Sequence, residues 1–378
     1  MKLVAVALVL AAAMPLASGA QQRAARPIGA PIAEFEEPLT GPLRIIELRD
    51  GRVLVHDEKE KRLGIADFKS GEFTEASREG AGPKEFKSAM ALVRAPGDSI
   101  WLYDLIQSRV LVIDPVGRPQ RTTPFSDAGD MMAMLRRPMV RELDEAGNTY
   151  GELREMSIAA GRVTMSDSVV LIRSTKGKAD TLAKMPSFLT APEMGAGGIK
   201  IRLPGFPPMD AWGVFPDGRV LVVRGATYTP EIFLADGSRR KVTAIAFPAV
   251  RVTAADREKL MADTRKGVEL AMSGARGMAG AGGGEMPKVE VVEPETWQPN
   301  KPPLTGTVIM VDEKNRAWVP VLSSNKLVRF DLLDADGRLI DAISFPEGAV
   351  MLGFGKGVVY ATRKDEDDLL YLQRYRLP

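Results

Sequence analysis

The side chains able to do chemistry in this 378-residue sequence are few, and their types narrow the options at once. There is no cysteine and a single histidine, His56. Thiol chemistry is absent, and no Gly-x-Ser-x-Gly elbow, His-Glu-x-x-His pair or Ser/His/Asp set can be assembled. What remains is carboxylate chemistry and recognition. Asp57 follows His56 at the end of the run Val53-Leu54-Val55, and Asp104 follows Tyr103 at the end of Ile100-Trp101-Leu102. Two carboxylates in equivalent places suit a divalent cation held by oxygen ligands. Their plainer role is an ion pair with the arginine five residues on, Arg62 and Arg109 respectively. The candidate binding residues are His56, Asp57, Tyr103, Asp104, Arg224 and Trp297; no residue is assigned as catalytic, and no metal or other cofactor is expected.

Two other stretches invite a sharper reading and do not support it. The acidic run Asp365-Glu366-Asp367-Asp368 lacks the glycine turn and alternating oxygen spacing of a calcium loop, so it reads as a solvated turn. The glycine-rich run from Gly274 to Gly284 has no strand leading in and no Gly-Lys-Ser/Thr ending, which removes a phosphate loop. Its composition buries too little apolar area to offset the entropy of ordering it, so a mobile hinge is expected.

The candidates are carried by a repeat. Its clearest copy is Phe215-Pro216-Asp217-Gly218-Arg219-Val220-Leu221-Val222-Val223, a glycine turn running into a short apolar strand, with a second strand at Ile232-Phe233-Leu234 and another turn at Asp236-Gly237. Copies begin near Arg44, Met90, Met139, Val308 and Ala349. In the third the spacing between turns stretches, which predicts a longer loop between its middle strands. Each unit shows three strands and a weaker outer one, such as Ala244–Phe247 or Asp341–Phe345. Six units of this kind predict an all-β fold, a six-bladed β-propeller. The last unit ends at Pro378 without an outer strand, and Ile32 to Leu39 is placed to supply it, hiding an edge that would otherwise pair with other chains. One column of the repeat reads Leu54, Trp101, Tyr150, Leu221, Trp318 and Val359, so both tryptophans are expected in blade interfaces.

Residues 1–20 carry Lys2, an apolar run from Leu3 to Leu16, and then Ala17, Ser18, Gly19 and Ala20. That is the pattern of a secretory signal peptide, and the apolar run is shorter than the roughly 20 residues that span a bilayer. Residues 21–31 read as a tether and 32–378 as the propeller. The protein is expected to be exported to the periplasm or beyond the cell, with no membrane span after cleavage. Of 51 basic and 49 acidic side chains, cleavage removes only Lys2, leaving a net charge near +1. That offers no general field for nucleic acid, so the partner is a protein or a small molecule.

The run Gly80-Ala81-Gly82-Pro83-Lys84-Glu85-Phe86, with Ile100 to Asp104 and Ser108 to Asp114, resembles the repeat of the NHL family and, more narrowly, exported bacterial six-bladed propellers of NHL or TolB-like type. The likeness is strongest over the first two blades and fades through the third. It implies a binding or scaffold module; the alternative it implies is a metal-dependent lactonase- or lyase-type enzyme with its site in the central channel, Asp57 and Asp104 being the first residues to test. Two insertions break the repeat. Residues 186–208 form a proline-rich loop. Residues 251–303 open with a capping box at Thr253-Ala254-Ala255-Asp256, continue as a helix with Leu260, Thr264, Val268 and Ala271 on one face to about Met272, and end in the Trp297 segment. Helix and Trp297 segment are expected to cover one mouth of the channel.

Overall fold

A computed structural model describes residues 22–378 apart from 126–136, 160–161, 188–192, 196–197, 280–287, 324 and 326. The proposed signal peptide lies outside the described residues.

The chain is built on one local device, a five-residue turn. The N–H of its first residue bonds to the carbonyl of the fifth, and its carbonyl accepts from the N–H of the fourth; Leu48–Arg52, Asp114–Arg118, Phe215–Arg219, Asp312–Arg316 and Asp334–Arg338 all close this way. The fourth position needs a positive φ, which is 82° at Gly51, 87° at Gly117 and 84° at Gly218, and 55° at Asn315 where asparagine stands in. Where aspartate comes first its carboxylate adds acceptors: Asp312 takes the N–H groups of Lys314 and Arg316, each at 2.9 Å. Each turn is thus fixed by its own residues, and the strands on either side pair as a hairpin.

The hairpins assemble into six antiparallel sheets. Reading outward from the axis, blade 1 is Leu43–Glu47, Val53–Asp57, Arg62–Ala66 and Phe73–Arg78. Blade 2 is Ala89–Arg94, Ile100–Asp104, Arg109–Ile113 and Pro119–Pro124. Blade 3 is Met139–Leu143, Thr149–Ala159, Arg162–Thr175 and Lys178–Pro186. Blade 4 is Ala211–Val214, Val220–Arg224, Thr229–Phe233 and Arg239–Lys241. Blade 5 is Met310–Val311, Ala317–Val321, Val328–Leu333 and Leu339–Phe345. Blade 6 is Val350–Gly355, Val358–Lys364 and Leu370–Arg376, completed by Ala33–Glu34, which pairs antiparallel with the last strand. The protein is a six-bladed β-propeller with one helix, α1 (Ala254–Ala279), between blades 4 and 5.

Three details differ from expectation. In blade 3 the extra length goes into the middle strands, which pair from Thr149–Ser174 to Ala159–Arg162 as one long hairpin with no longer loop. The β-branched residues Val163 and Thr164 favour extending the ladder. In blade 4 the outer strand is Arg239–Lys241, directly after the turn; Ala244–Phe247 runs outside the sheet, held by a bond from the Ile245 N–H to the Tyr228 carbonyl and by packing of Ile245 and Phe247 on the core. In the stretch read as a tether, Arg26–Pro27 lies parallel to Leu339–Phe345 and gives blade 5 a fifth strand.

The core lies between blades. Trp318, wholly buried, packs with Phe330 and Phe345 of its own blade and with Phe354 of blade 6 at ring distances of 5.4 to 6.5 Å, and its Nε1–H donates to Asp312 at 2.9 Å. Burying such a ring contributes a few kcal/mol, on the order of 25 cal/mol per Å² of apolar surface. Buried apolar clusters fill five of the six blade interfaces among the described residues. The exception is the seam between blades 2 and 3, and there Trp101 is only half-buried.

Ring closure also binds Glu47 of blade 1 to blade 6: its carboxylate accepts from the Lys356 N–H at 2.8 Å and the Tyr360 hydroxyl at 2.5 Å. Gly355 is required beside it, because a Cβ there would lie 2.0 Å from the Glu47 carboxylate. Removing residues 22–39 takes away both N-terminal strands while leaving blade 1 intact. The expected outcome is a loss of several kcal/mol in urea unfolding and concentration-dependent association on sizing columns, since the Leu370–Arg376 edge is left bare. An unchanged urea midpoint would show that the closure carries no weight.

Candidate functional site

Each blade's second strand ends at the same end of the ring, where the long insertions also emerge, so His56, Asp57, Tyr103, Asp104 and Arg224 all lie at that end. They do not form one cluster. Asp57, Asp104 and Arg224 are each the last residue of a second strand, and the structure gives them the same task, holding the connection that enters the blade. Asp57, wholly buried, accepts from the Thr40 N–H at 2.9 Å and the Glu60 N–H at 3.2 Å. Asp104, also wholly buried, accepts from the N–H groups of Lys87 at 2.9 Å and Ser88 at 3.2 Å and from the Gln107 side chain at 2.8 Å. In blade 4 the charges are exchanged: Arg224 bonds Asp210 on the incoming connection at 2.7 Å and Glu231 at 2.8 Å.

The ion pairs expected from the five-residue spacing divide. Arg109 comes within 3.8 Å of Asp104, whereas Arg62 pairs with Glu37 at 3.5 Å. With their acceptors filled by backbone N–H groups and no exposed oxygen, Asp57 and Asp104 do not fit a divalent cation. Among the described residues no group of three or more carboxylate, histidine or cysteine side chains is arranged for a metal.

His56 is 2% exposed, its ring edge-on to Phe86 at 5.4 Å. Burial, aided by Arg44, lowers its pKa to about 4. It stays neutral in the folded protein and stands inside the blade 1–2 interface, away from solvent.

Tyr103 is placed differently. Ile100 and Leu102 enter the cluster shared with blade 1, so alternation along the strand turns Trp101 and Tyr103 toward the seam with blade 3. Their rings lie 6.4 Å apart, Phe125 lies 6.2 Å from Tyr103, and the Arg137 guanidinium sits 3.8 Å over Phe125. Burial raises the Tyr103 pKa to about 12, against the nearby charge of Arg137. Across this seam, on the innermost strand of blade 3, Glu142 follows a bulge that takes Arg141 out of the ladder. Arg141 stacks 3.5 Å over Trp212, whose Nε1–H donates to Glu152 at 2.6 Å. Glu142 is half-buried as a residue and has no hydrogen bond among the described residues; desolvation of its carboxyl pushes its pKa up to about 7, opposed by Arg141. No sequence motif announced Glu142; only a charge on an innermost strand could have drawn attention to it.

The two insertions, read as separate excursions, join. Gly198–Arg202 of the first pairs in parallel with Val289–Val292 of the second, and Glu193–Gly195 adds a third strand. Trp297 packs 6.0 Å from Phe206 of the first insertion and 5.4 Å from the guanidinium of Arg257 on α1. The helix starts as expected, with the Asp256 N–H bonded to Thr253 Oγ1 at 3.2 Å and the Thr253 N–H to the Asp256 carboxylate at 2.9 Å. Asp256 is held down to about pKa 2, first by Lys301. The helix passes Met272 and takes in Gly274 to Ala279, where Ala275, Arg276, Met278 and Ala279 are strong helix formers and offset the two glycines. The rest of the glycine-rich run lies outside the described residues. At 26 residues α1 is about 39 Å long. Its charge is felt at blade 6: Asp368 is held below the usual carboxylate range by Lys364 and further by Lys266 of α1 and Lys59 of blade 1.

No family model matches the sequence, and no curated protein matches it. Solved structures of six-bladed-propeller type are similar in shape. A member of the DUF4221 family from Bacteroides vulgatus shares 11% identity, covering 92% of this chain and 98% of that one with a TM-score of 0.42. A calcium-binding protein, regucalcin, from Agrobacterium tumefaciens shares 11% over 92% and 96% with a TM-score of 0.41. The PQQ-bound aldose sugar dehydrogenase of Streptomyces coelicolor shares 12% over 92% and 97% with a TM-score of 0.42.

His56 and Glu142 give the stability opposite pH limbs. With its folded pKa depressed to about 4, His56 contributes stability that is present above its unfolded pKa of about 6.5 and lost as pH falls toward 4. His56→Leu should shrink the drop in urea stability between pH 7 and pH 4.5 by about 2 kcal/mol; an unchanged drop would count against a neutral buried imidazole. Glu142, raised to about 7, favours folding below its unfolded pKa near 4.5, and that contribution is lost as pH rises through 7. Glu142→Gln should flatten the decline between pH 5 and pH 8 by on the order of 1 kcal/mol, and an unaltered profile would place the carboxyl in water.

Proposed function

We propose that this chain is an exported, NHL-like propeller that acts as a binding or scaffold module, meeting its partner with the end of the ring that carries the insertions. One observation carries the reading. Of the eight large apolar side chains exposed among the described residues, six lie at that end: Met90, Ile106, Met139, Val308, Leu327 and Val350. Four of these stand at the start of innermost strands, around the channel mouth. An apolar rim beside an aromatic seam, at the end from which the insertions emerge, is the arrangement of a recognition surface. Export rests on residues 1–20 alone. Among the described residues no helix is long and apolar enough to cross a membrane.

Val250–Arg251 pairs antiparallel with Asn300–Lys301, so residues 254–297 can be replaced by a short Gly-Ser loop without opening the ring. The replaced protein, which also loses the Val289–Val292 strand from its pairing with Gly198–Arg202, is expected to unfold cooperatively at a somewhat lower temperature and to lose the envelope proteins or small molecules that co-purify with the intact chain. A partner retained in full by the replaced protein would remove the insertion-bearing end as the binding face. A catalytic reading would have to begin from Glu142, the one described channel-strand carboxyl with a raised pKa and no bonded partner.

A further inference from the structure

The other end of the ring holds a second feature, which does not depend on the reading above. The turns between first and second strands of blades 5, 6 and 1 converge there with Arg94 of blade 2 around a cleft of about 620 Å³. That volume lies within the range of small-molecule sites. The acids in its wall are already engaged. Glu47 is held by the Lys356 N–H and the Tyr360 hydroxyl, Glu313 by the Gly357 N–H at 3.0 Å, and Asp50 by Arg52 at 2.7 Å.

Three cations of the wall, Arg94, Lys356 and Arg374, form no ion pair among the described residues. Arg94 donates to the backbone carbonyl of Glu47, and among the described residues it has no ion-pair partner. The residue is exposed at the cleft; partial desolvation lowers its pKa and the charge of Glu47 opposes. The Lys356 ammonium has no partner among the described residues either, although its own backbone N–H is fixed by Glu47. Arg374 stands behind them, its bonds going to neutral groups: the Gly51 carbonyl and the Tyr360 hydroxyl, both at 2.8 Å. The Phe68 ring lies 4.5 Å beneath its guanidinium. Arg94 and Lys356 are exposed at the cleft and Arg374 is half-buried behind them; cations free of ion pairs in a concave wall attract an external oxyanion, and guanidinium matches carboxylate and phosphate geometry in two-point fashion.

We propose that this cleft binds a small ligand through an oxyanion, carboxylate or phosphate, gripped by Arg94 and Lys356 with Arg374 as its rear wall. Gly355 and Glu47 approach closely at the junction of blades 6 and 1, leaving no room for a side chain at Gly355. Bound ligand would bridge blades 1, 2 and 6.

Calorimetric titration of the purified protein with inorganic phosphate and, separately, with citrate at low ionic strength tests this. At least one of the two is expected to bind at one per chain; phosphate alone identifies a phosphoryl ligand, citrate alone a carboxylate. The R94Q/K356Q pair should weaken binding at least tenfold, whereas K259Q, on an exposed turn of α1, should leave it unchanged. Lys356→Gln alone, which removes no bond within the described protein, should weaken it several-fold with an unaltered melting temperature and separates lost binding from lost fold. Binding of neither anion, or binding that survives the double substitution, would overturn the proposal.

Discussion

A ring of sheets has one joint that the chain cannot make simply by continuing, and this protein depends on how that joint is closed. Ala33–Glu34 lies along the C-terminal strand, and Glu47 and Tyr360 meet across the same boundary. Without these contacts the last blade has three strands and an open edge, and the packing between blades 6 and 1 loses its lateral support. Every other interface follows from neighbours in sequence; this one is made by residues more than 300 apart.

Much of this was legible because the repeat is written in local chemistry. A glycine or asparagine at the fourth place of a turn announces a positive φ, and an apolar run after it announces a strand, so the number of blades and the site of closure could be read directly. The interface column was legible for the same reason at Tyr150, Trp318 and Val359. Trp101 also faces a blade interface but is half-buried, with no buried apolar cluster across the seam among the described residues, and nothing within blade 2 encodes what blade 3 presents.

The candidate residues show where such reading stops. Asp57, Asp104 and Arg224 are conspicuous as charges ending apolar strands, and that is a true signal, but of a clip for the incoming connection and not of a ligand. Which task a carboxylate performs depends on the backbone N–H groups brought to it from 16 or 17 residues away. Glu142 and Arg94 are the reverse case: ordinary in sequence, and distinctive only once the fold sets them on innermost strands without an ion-pair partner among the described residues. The union of the two insertions was equally hidden, since a short apolar segment such as Val289–Val292 names no pairing partner.

That union has a consequence for motion. The parallel pair Gly198–Arg202 and Val289–Val292 joins chain that enters blade 4 to chain that follows it, so the blade is enclosed by a clasp. Opening of the blade toward solvent then requires these paired strands to part, so the two insertions share in the local stability of the blade. Whatever loosens or tightens the clasp is thereby felt in the spacing of an entire sector of the ring.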